Sequence, residues 1–247
     1  MRYLTFILIL LITHVKIRSQ NQQQMPNVWA ENWLSAKINF RINNKWDFSF
    51  KEQLRLTPIY DIYERNYSEF QIEKFSKVNF NWGISYRHVI RNNGMESSMR
   101  QYNRNTYFFT QKWSMGNENR FSYKYRVQYQ RQRERLPNTN KHVSELRKYW
   151  RIKTDLSYNI KNWKLDPKIG VEFFFRGSNH PTDQYNKYRI SIGTKKKLNK
   201  NQSITFKYMF EKQRKSWNPE VIHVLGIQYN YNLKHQTRNY IDKNNED

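Results

Sequence analysis

Side chains able to do covalent chemistry are few in this sequence of 247 residues, and cations dominate it. There is no cysteine, which removes thiolate nucleophiles, disulfide frameworks and zinc sites built on CxxC pairs. Past residue 19 the histidines are His88, His142, His180, His223 and His235. They show no paired spacing that would hold a metal. No serine sits in a GxSxG elbow, and Gly-rich phosphate loops are absent. Ser98 or Ser178 could meet His142 or His180 only by folding. The expectation is therefore a protein that is not an enzyme, with no catalytic residue, no metal and no cofactor. The cations number 44 Lys+Arg against 20 Asp+Glu, for a formal charge of +24. Such side chains pair with carboxylate or phosphate, and arginine does so bidentately.

Where those cations fall is set by the elements that carry them. Period-two alternation recurs from residue 46 onward, with no lasting helical period. Trp46, Phe48, Phe50, Leu54 and Leu56 alternate with Asp47, Ser49, Lys51, Gln53 and Arg55. Phe80, Trp82, Ile84 and Tyr86 alternate with Asn81, Gly83, Ser85 and Arg87. Phe121, Tyr123, Tyr125, Val127 and Tyr129 alternate with Lys124, Arg126 and Gln128. The same pattern holds in residues 146–158, 165–175, 185–198, 203–213 and 221–233. Strands with one apolar and one polar face touch two different solvents. Short turns at 43–44, 75–77, 114–119, 159–162 and 199–201 alternate with longer polar loops at 58–66, 91–99, 132–144, 176–184 and 214–220. Short turns at one end and long loops at the other suit an outer-membrane meander barrel. Strands of about 9–14 residues can cross a bilayer when tilted, and lipid offers no partner to an open sheet edge. The expected fold is all-β, an antiparallel up-and-down transmembrane barrel of about twelve strands, with ten as the alternative. Eleven strands can be counted directly. An even number therefore requires residues 25–33 to hide another strand, unless that segment threads the lumen. A soluble two-sheet sandwich with an aromatic core is the competing fold.

Residues 1–19 read as an address. Arg2 precedes an apolar run from Leu4 to Ile12, too short to span a bilayer, and Ser19 stands where signal peptidase would cut. Removing Arg2, Lys16 and Arg18 takes the charge from +24 to +21. The expected organisation is a signal peptide at 1–19, a periplasmic segment at 20–27, a barrel at 28–233 and a polar tail at 234–247. A secreted chain with 8 Trp, 18 Tyr and 15 Phe is not a disordered polycation. Location in the bacterial outer membrane excludes nucleic acid as a partner. A cytoplasmic nucleic-acid-binding β-protein, with Lys and Arg interleaved with aromatics, would have to keep residues 1–19.

On the polar faces lie Arg55, Arg87, Arg126, Arg147, Arg151 and Arg189, joined by Glu172 and Glu211, as a lumen charge cluster. Two readings remain for it: an anion-lined pore or pocket, and an interior filled by paired side chains. Trp46, Trp113 and Trp163 each sit beside a short turn, as an aromatic girdle would. Basic loop residues such as Arg131, Arg133 and Arg135 would face phosphate-bearing lipid or only solvent.

Several segments together resemble a known family. They are Trp33, Lys45-Trp46 leading to Gln53-x-Arg55, Gly83-x-x-Tyr86-Arg87, and Tyr125-Arg126-x-Gln128. Residues 147–158 follow, then Leu165-Asp166-Pro167 with Glu172-x-Phe174, Arg189-x-x-x-Gly193, and His223-x-Leu225-Gly226 with Tyr229 and Tyr231. In this order they resemble the small bacterial outer-membrane β-barrel proteins known as domain of unknown function 2490. The resemblance implies an outer-membrane barrel and no established activity. The expected partners are outer-membrane phospholipid and lipopolysaccharide, with periplasmic chaperones and the barrel-assembly machinery during biogenesis, and the chain is expected to be a monomer. A barrel enzyme that modifies phospholipid or lipopolysaccharide is the alternative function.

Overall fold

The computed structural model describes residues 28–43, 45–57, 62–76, 79–93, 98–116, 120–135, 146–161, 165–177, 185–213 and 221–234. The expected signal peptide, the segment 20–27, the tail beyond residue 234 and Trp163 lie outside them, as do His142, His180, His235 and Ser178.

Alternating sequence becomes strand throughout. The eleven strands are β1 (Val28–Arg41), β2 (Trp46–Thr57), β3 (Ile62–Phe75), β4 (Phe80–Asn93), β5 (Ser98–Met115), β6 (Phe121–Arg135), β7 (Arg147–Tyr158), β8 (Leu165–Gly177), β9 (Tyr185–Lys197), β10 (Gln202–Gln213) and β11 (Val221–Lys234). Each strand pairs antiparallel with the next in sequence, and β1 meets β11 to close the barrel. That last pairing is parallel, running from Val28↔Val221 to Arg41↔Lys234. The expectation of twelve antiparallel strands is corrected here to eleven, with one parallel seam. Residues 28–33 neither hide an extra strand nor thread the lumen, because they are the first half of β1. An odd count closes without an open edge when the outer strands run the same way, since a parallel ladder also satisfies both rows of backbone groups.

The ring climbs steeply. Register partners followed from Trp46 pass through Lys74, Trp82, Phe109, Val127, Ile152, Phe173, Tyr188 and Lys212 to Val221, and so to Val28. A circuit begun at the foot of β2 thus ends at the head of β1. Strong stagger and strand tilt go together in closed barrels.

Asparagine shapes the short-turn end. Asn43 Oδ1 accepts from the N–H groups of Lys45 and Trp46 at 2.8 and 2.9 Å. Asn199 Oδ1 does the same for Asn201 and Gln202 at 2.9 and 2.8 Å. Side-chain oxygens thereby stand in for the missing ladder bonds of a turn. At the long-loop end the strands outrun the sequence reading: β3 begins at Ile62, β5 takes 18 residues, and β6 carries Arg131, Arg133 and Arg135 as strand residues.

The two faces reverse the distribution of a soluble protein. Leu34, Ile38, Phe50, Ile84, Phe109, Ile169, Ile192 and Leu225 are exposed on the outside. Glu31, Gln53, Thr106, Gln130, Asp155, Glu172 and Glu211 are buried on the inside, beside Trp33, Tyr67, Phe108, Phe174 and Met209. Glycine on the inner face makes room for these larger neighbours. A Cβ at Gly83 would strike the backbone oxygen of Ile72 and the ring of Phe108, and that ring is only 2% exposed. Gly83→Val is therefore expected to destabilise the barrel by roughly 1–3 kcal/mol through overpacking. The unfolding temperature of the detergent-refolded protein, followed by tryptophan fluorescence, would show the loss. Gly83→Val combined with Phe108→Ala should recover part of it.

Candidate functional site

Alternate residues of neighbouring strands meet inside the barrel, and the register decides which cation faces which acid. Across β3 and β4, Glu69 stands opposite Arg87 and the two form an ion pair. Glu172 on β8 lies between Lys153 and Arg189 in the register. It pairs with Arg151 and, at 3.4 Å, with Arg189. Arg189 continues to Glu211 on β10, which also holds Lys187 at 2.8 Å. Asp155 is shared by Lys153 at 3.1 Å and Lys168 at 3.3 Å. Arg126 reaches Glu73 at 3.9 Å and donates through Nε to Thr110 Oγ1 at 2.7 Å. Arg104, by contrast, finds the neutral amide oxygen of Gln132.

Aromatic rings bed the same cations, as ring quadrupoles attract charge withdrawn from water. Phe174 lies beneath Arg189 at 4.6 Å and beneath Arg151 and Lys187 at 5.0 Å each. Arg87 covers Tyr67 at 4.1 Å, and Arg126 covers Phe108 at 4.6 Å. Trp33 is a second hub. Arg55 stacks on it at 3.8 Å, with Arg189 at 5.5 Å and Lys207 at 5.7 Å, while its indole N–H donates to Glu31 at 2.6 Å.

Of the sequence-derived cluster, the structure brings Arg151, Glu172, Arg189 and Glu211 into one network. Arg87 and Arg126 have their own acids, and Arg55 lies 4.0 Å from Glu31. Arg147 shares the face but is the exposed first residue of β7 and stands apart at the rim. The girdle residues Trp46 and Trp113 lie near the short turns. Trp46 packs edge-on to Trp82 with ring centroids 6.2 Å apart, and Trp113 lies 5.3 Å from Tyr123. Sequence reasoning did not place Trp33 in the lumen. Its signal was parity, because Trp33 shares its face with Ser35, Lys37 and Asn39.

Several inward cations are left without an acid. Lys37, Lys124 and Lys207 form no ion pair with a described residue, and Lys51 has the amide oxygen of Gln228 at 2.9 Å and the Tyr67 ring at 5.8 Å. Two buried donors in the same region also lack partners, Gln53 Nε2 and Arg55 Nε. The Gln53 oxygen is already taken by the Tyr67 hydroxyl at 2.6 Å. What remains free in this part of the lumen is a set of donors, whose natural complement is an anion. Among the described residues, no group of three or more His, Asp or Glu stands together as a metal site would require.

The fold and the site define a class: a closed all-β barrel with an apolar exterior and a charged, cation-rich interior. The chain belongs to the family of proteins of unknown function called DUF2490, whose profile matches residues 30–220. No curated protein matches it.

Glu172→Gln should leave Arg151 without its acid and Arg189 with only Glu211, at a cost of about 3 kcal/mol as for a broken buried pair. Arg100 pairs with Glu134 at 3.7 Å but is 44% exposed, so Arg100→Ala should cost no more than ~1 kcal/mol. Urea titration of the two variants in detergent would order them.

Proposed function

We propose that this chain is an outer-membrane β-barrel protein whose basic lumen binds small anions and passes them slowly. The observation that carries this reading is the reversal of faces, with Leu, Ile and Phe outside and buried Glu, Asp, Gln and Thr inside. Water does not support such an exterior, since exposed apolar patches on soluble proteins are far smaller. Strands of 12–18 residues are long enough to cross a bilayer at the tilt of a closed barrel. The rings at the short-turn end suit a membrane–water interface.

Salt-bridged side chains cross-brace the lumen, so the barrel is no wide porin. The donors of Lys207, Lys51, Gln53 and Arg55 supply a binding station for a small carboxylate or phosphate. The parallel seam also has a topological consequence. Val28 stands at the long-loop end and Lys234 at the short-turn end, so the chain enters the barrel at one end and leaves it at the other.

Three measurements test this reading. Unboiled protein in detergent should migrate apart from boiled protein, and native cells should yield it in the outer-membrane fraction; identical mobility and a soluble fraction would sink the proposal. In planar bilayers under a salt gradient, the reversal potential should favour anions, with Lys207→Glu plus Lys124→Glu weakening that preference. Protease sites inserted at residue 22 and residue 140 should be cut from the same side in intact cells, and a site after residue 247 only from the other.

A further inference from the structure

Toward the long loops, the apolar outer face of β2–β6 gives way to a polar row. Glu52 on β2 stands opposite Ser68 on β3, Ser68 opposite His88 on β4, His88 opposite Asn103 on β5, and Asn103 opposite Arg133 on β6. Polar and charged groups on a lipid-facing surface are costly, so a row of five asks for a purpose.

At its centre the geometry is that of an oriented base. His88 Nδ1 lies 2.9 Å from Asn103 Oδ1, and the same oxygen accepts from the Tyr86 hydroxyl at 3.0 Å. An oxygen that accepts from a hydroxyl can bond Nδ1 only when Nδ1 carries the proton. The remaining nitrogen, Nε2, therefore holds the lone pair of a general base. Residues directly opposite on antiparallel strands have Cβ atoms about 4.5–5.5 Å apart. Ser68 stands directly opposite His88, on the side away from Asn103; it forms no hydrogen bond with the ring here, and turning its side chain across that spacing is what brings the hydroxyl to Nε2.

The surroundings match one substrate. One row nearer the short turns, Phe70 on β3, Tyr86 on β4 and Asn105 on β5 are opposite one another. Here a groove of about 130 Å³ opens, lined by Phe70, Ile72, Ile84, Tyr86 and Tyr107. On the far flank Arg131 and Arg133 are exposed, facing Asn105 and Asn103. The row also marks a boundary. Outward residues of β5 change from Phe109 and Tyr107 to Asn105 and Asn103, and those of β6 from Val127 and Tyr129 to Arg131 and Arg133. The apolar groove lies beside the Ser–His–Asn row, and the arginines flank both on β6, so that acyl chain, ester and phosphate of one membrane lipid each meet a fitting neighbour.

We propose that Ser68, His88 and Asn103 are the nucleophile, base and orienting group of an esterase site that removes an acyl chain from a phosphate-bearing lipid. The proposal rests on the reading of the outer face as lipid-facing. Ser68 Oγ attacks the ester carbonyl as its proton passes to His88 Nε2. The tetrahedral adduct collapses, the C–O bond to the glycerol or sugar oxygen breaks, and that oxygen takes the proton from His88. Water then attacks the acyl-serine, giving its proton to His88. Cleavage of the acyl–Oγ bond releases a fatty acid and returns the proton to Ser68. Asn103 holds the imidazole in the required tautomer, the groove holds the chain, and Arg131 and Arg133 hold the phosphate. The histidine and its partners are far apart in sequence, and only strand register gathers them.

The test uses the full chain refolded in detergent, its fold checked by the mobility shift on boiling. One arm offers vesicles of phosphatidylethanolamine and phosphatidylglycerol with labelled acyl chains; the other offers purified lipopolysaccharide. Free fatty acid is expected from one or both, and which arm responds identifies the lipid. Ser68→Ala and His88→Ala should each lower release by roughly 10³-fold or more. A fluorophosphonate probe should label Ser68 in the parent protein and not in Ser68→Ala. Asn103→Ala should cut kcat with little change in KM, and Asn103→Asp should restore much of it. Arg133→Ala should raise KM for the phosphate-bearing lipid. Absence of release in both arms together with an unlabelled Ser68, in protein that shows the mobility shift, overturns the esterase and leaves the barrel reading standing. Release that persists in Ser68→Ala overturns it equally. Protein without the mobility shift would indict the membrane reading instead.

Discussion

Backbone hydrogen bonding is the constraint from which this structure follows. Each strand exposes N–H and C=O groups along both edges, and a sheet that rolls up must bring its first and last edges together. Here the meeting is the fourteen-residue seam between β1 and β11. Because the strand count is odd, the seam is parallel, and the chain enters and leaves the barrel at opposite ends. Because the ring climbs the full length of β1 in one circuit, the strands are tilted, and large inward side chains fill the interior. Filling that interior calls for glycine beside large side chains, as at Gly83 beneath Phe108.

A narrow polar interior cannot remain a row of free cations. Withdrawn from water, each guanidinium needs an acid, an amide oxygen or an aromatic face. The structure supplies all three, and often two to one residue. Arg189 has Glu172, Glu211, Phe174 and Trp33; Arg126 has Glu73, Thr110 and Phe108. Glu172 and Glu211 each serve two cations, so the acids brace neighbouring strands across the wall. Lys207 and the spare donors of Gln53 and Arg55 stand outside this bracing. On that imbalance the proposed anion-binding reading rests.

The facing of nearly every strand residue was legible, because alternation is a property of one strand read alone. So were the turn positions, marked by asparagines that cap them. The seam was not legible: counting strands and insisting on an even number overlooks that a first strand may pair parallel with the last. Strand ends were missed for a physical reason as well. Arg131, Arg133 and Arg135 look like loop because they are polar on the face where Tyr125, Val127 and Tyr129 are apolar. The strand continues while its outer surroundings change. Ser68, His88 and Asn103 were illegible as a group, since register between strands is written in no single strand.

That change of surroundings along β6 also locates the polar row. In a strongly tilted barrel a plane cuts each strand at a different residue number, so a level boundary appears as a diagonal in sequence. On β5 the apolar-to-polar step lies between Tyr107 and Asn105, and on β6 between Tyr129 and Arg131. These are register partners, Tyr107 with Tyr129 and Asn105 with Arg131. The step therefore follows the ladder itself across two strands. On β4 and β3 the step comes one ladder row nearer the long loops, from Tyr86 to His88 and from Phe70 to Ser68. Four strands shift from apolar to polar along neighbouring rows, which scattered surface substitutions would not produce. A level polar boundary in a tilted barrel therefore reads in the sequence as a step whose position shifts from strand to strand, which is why no single strand reveals it.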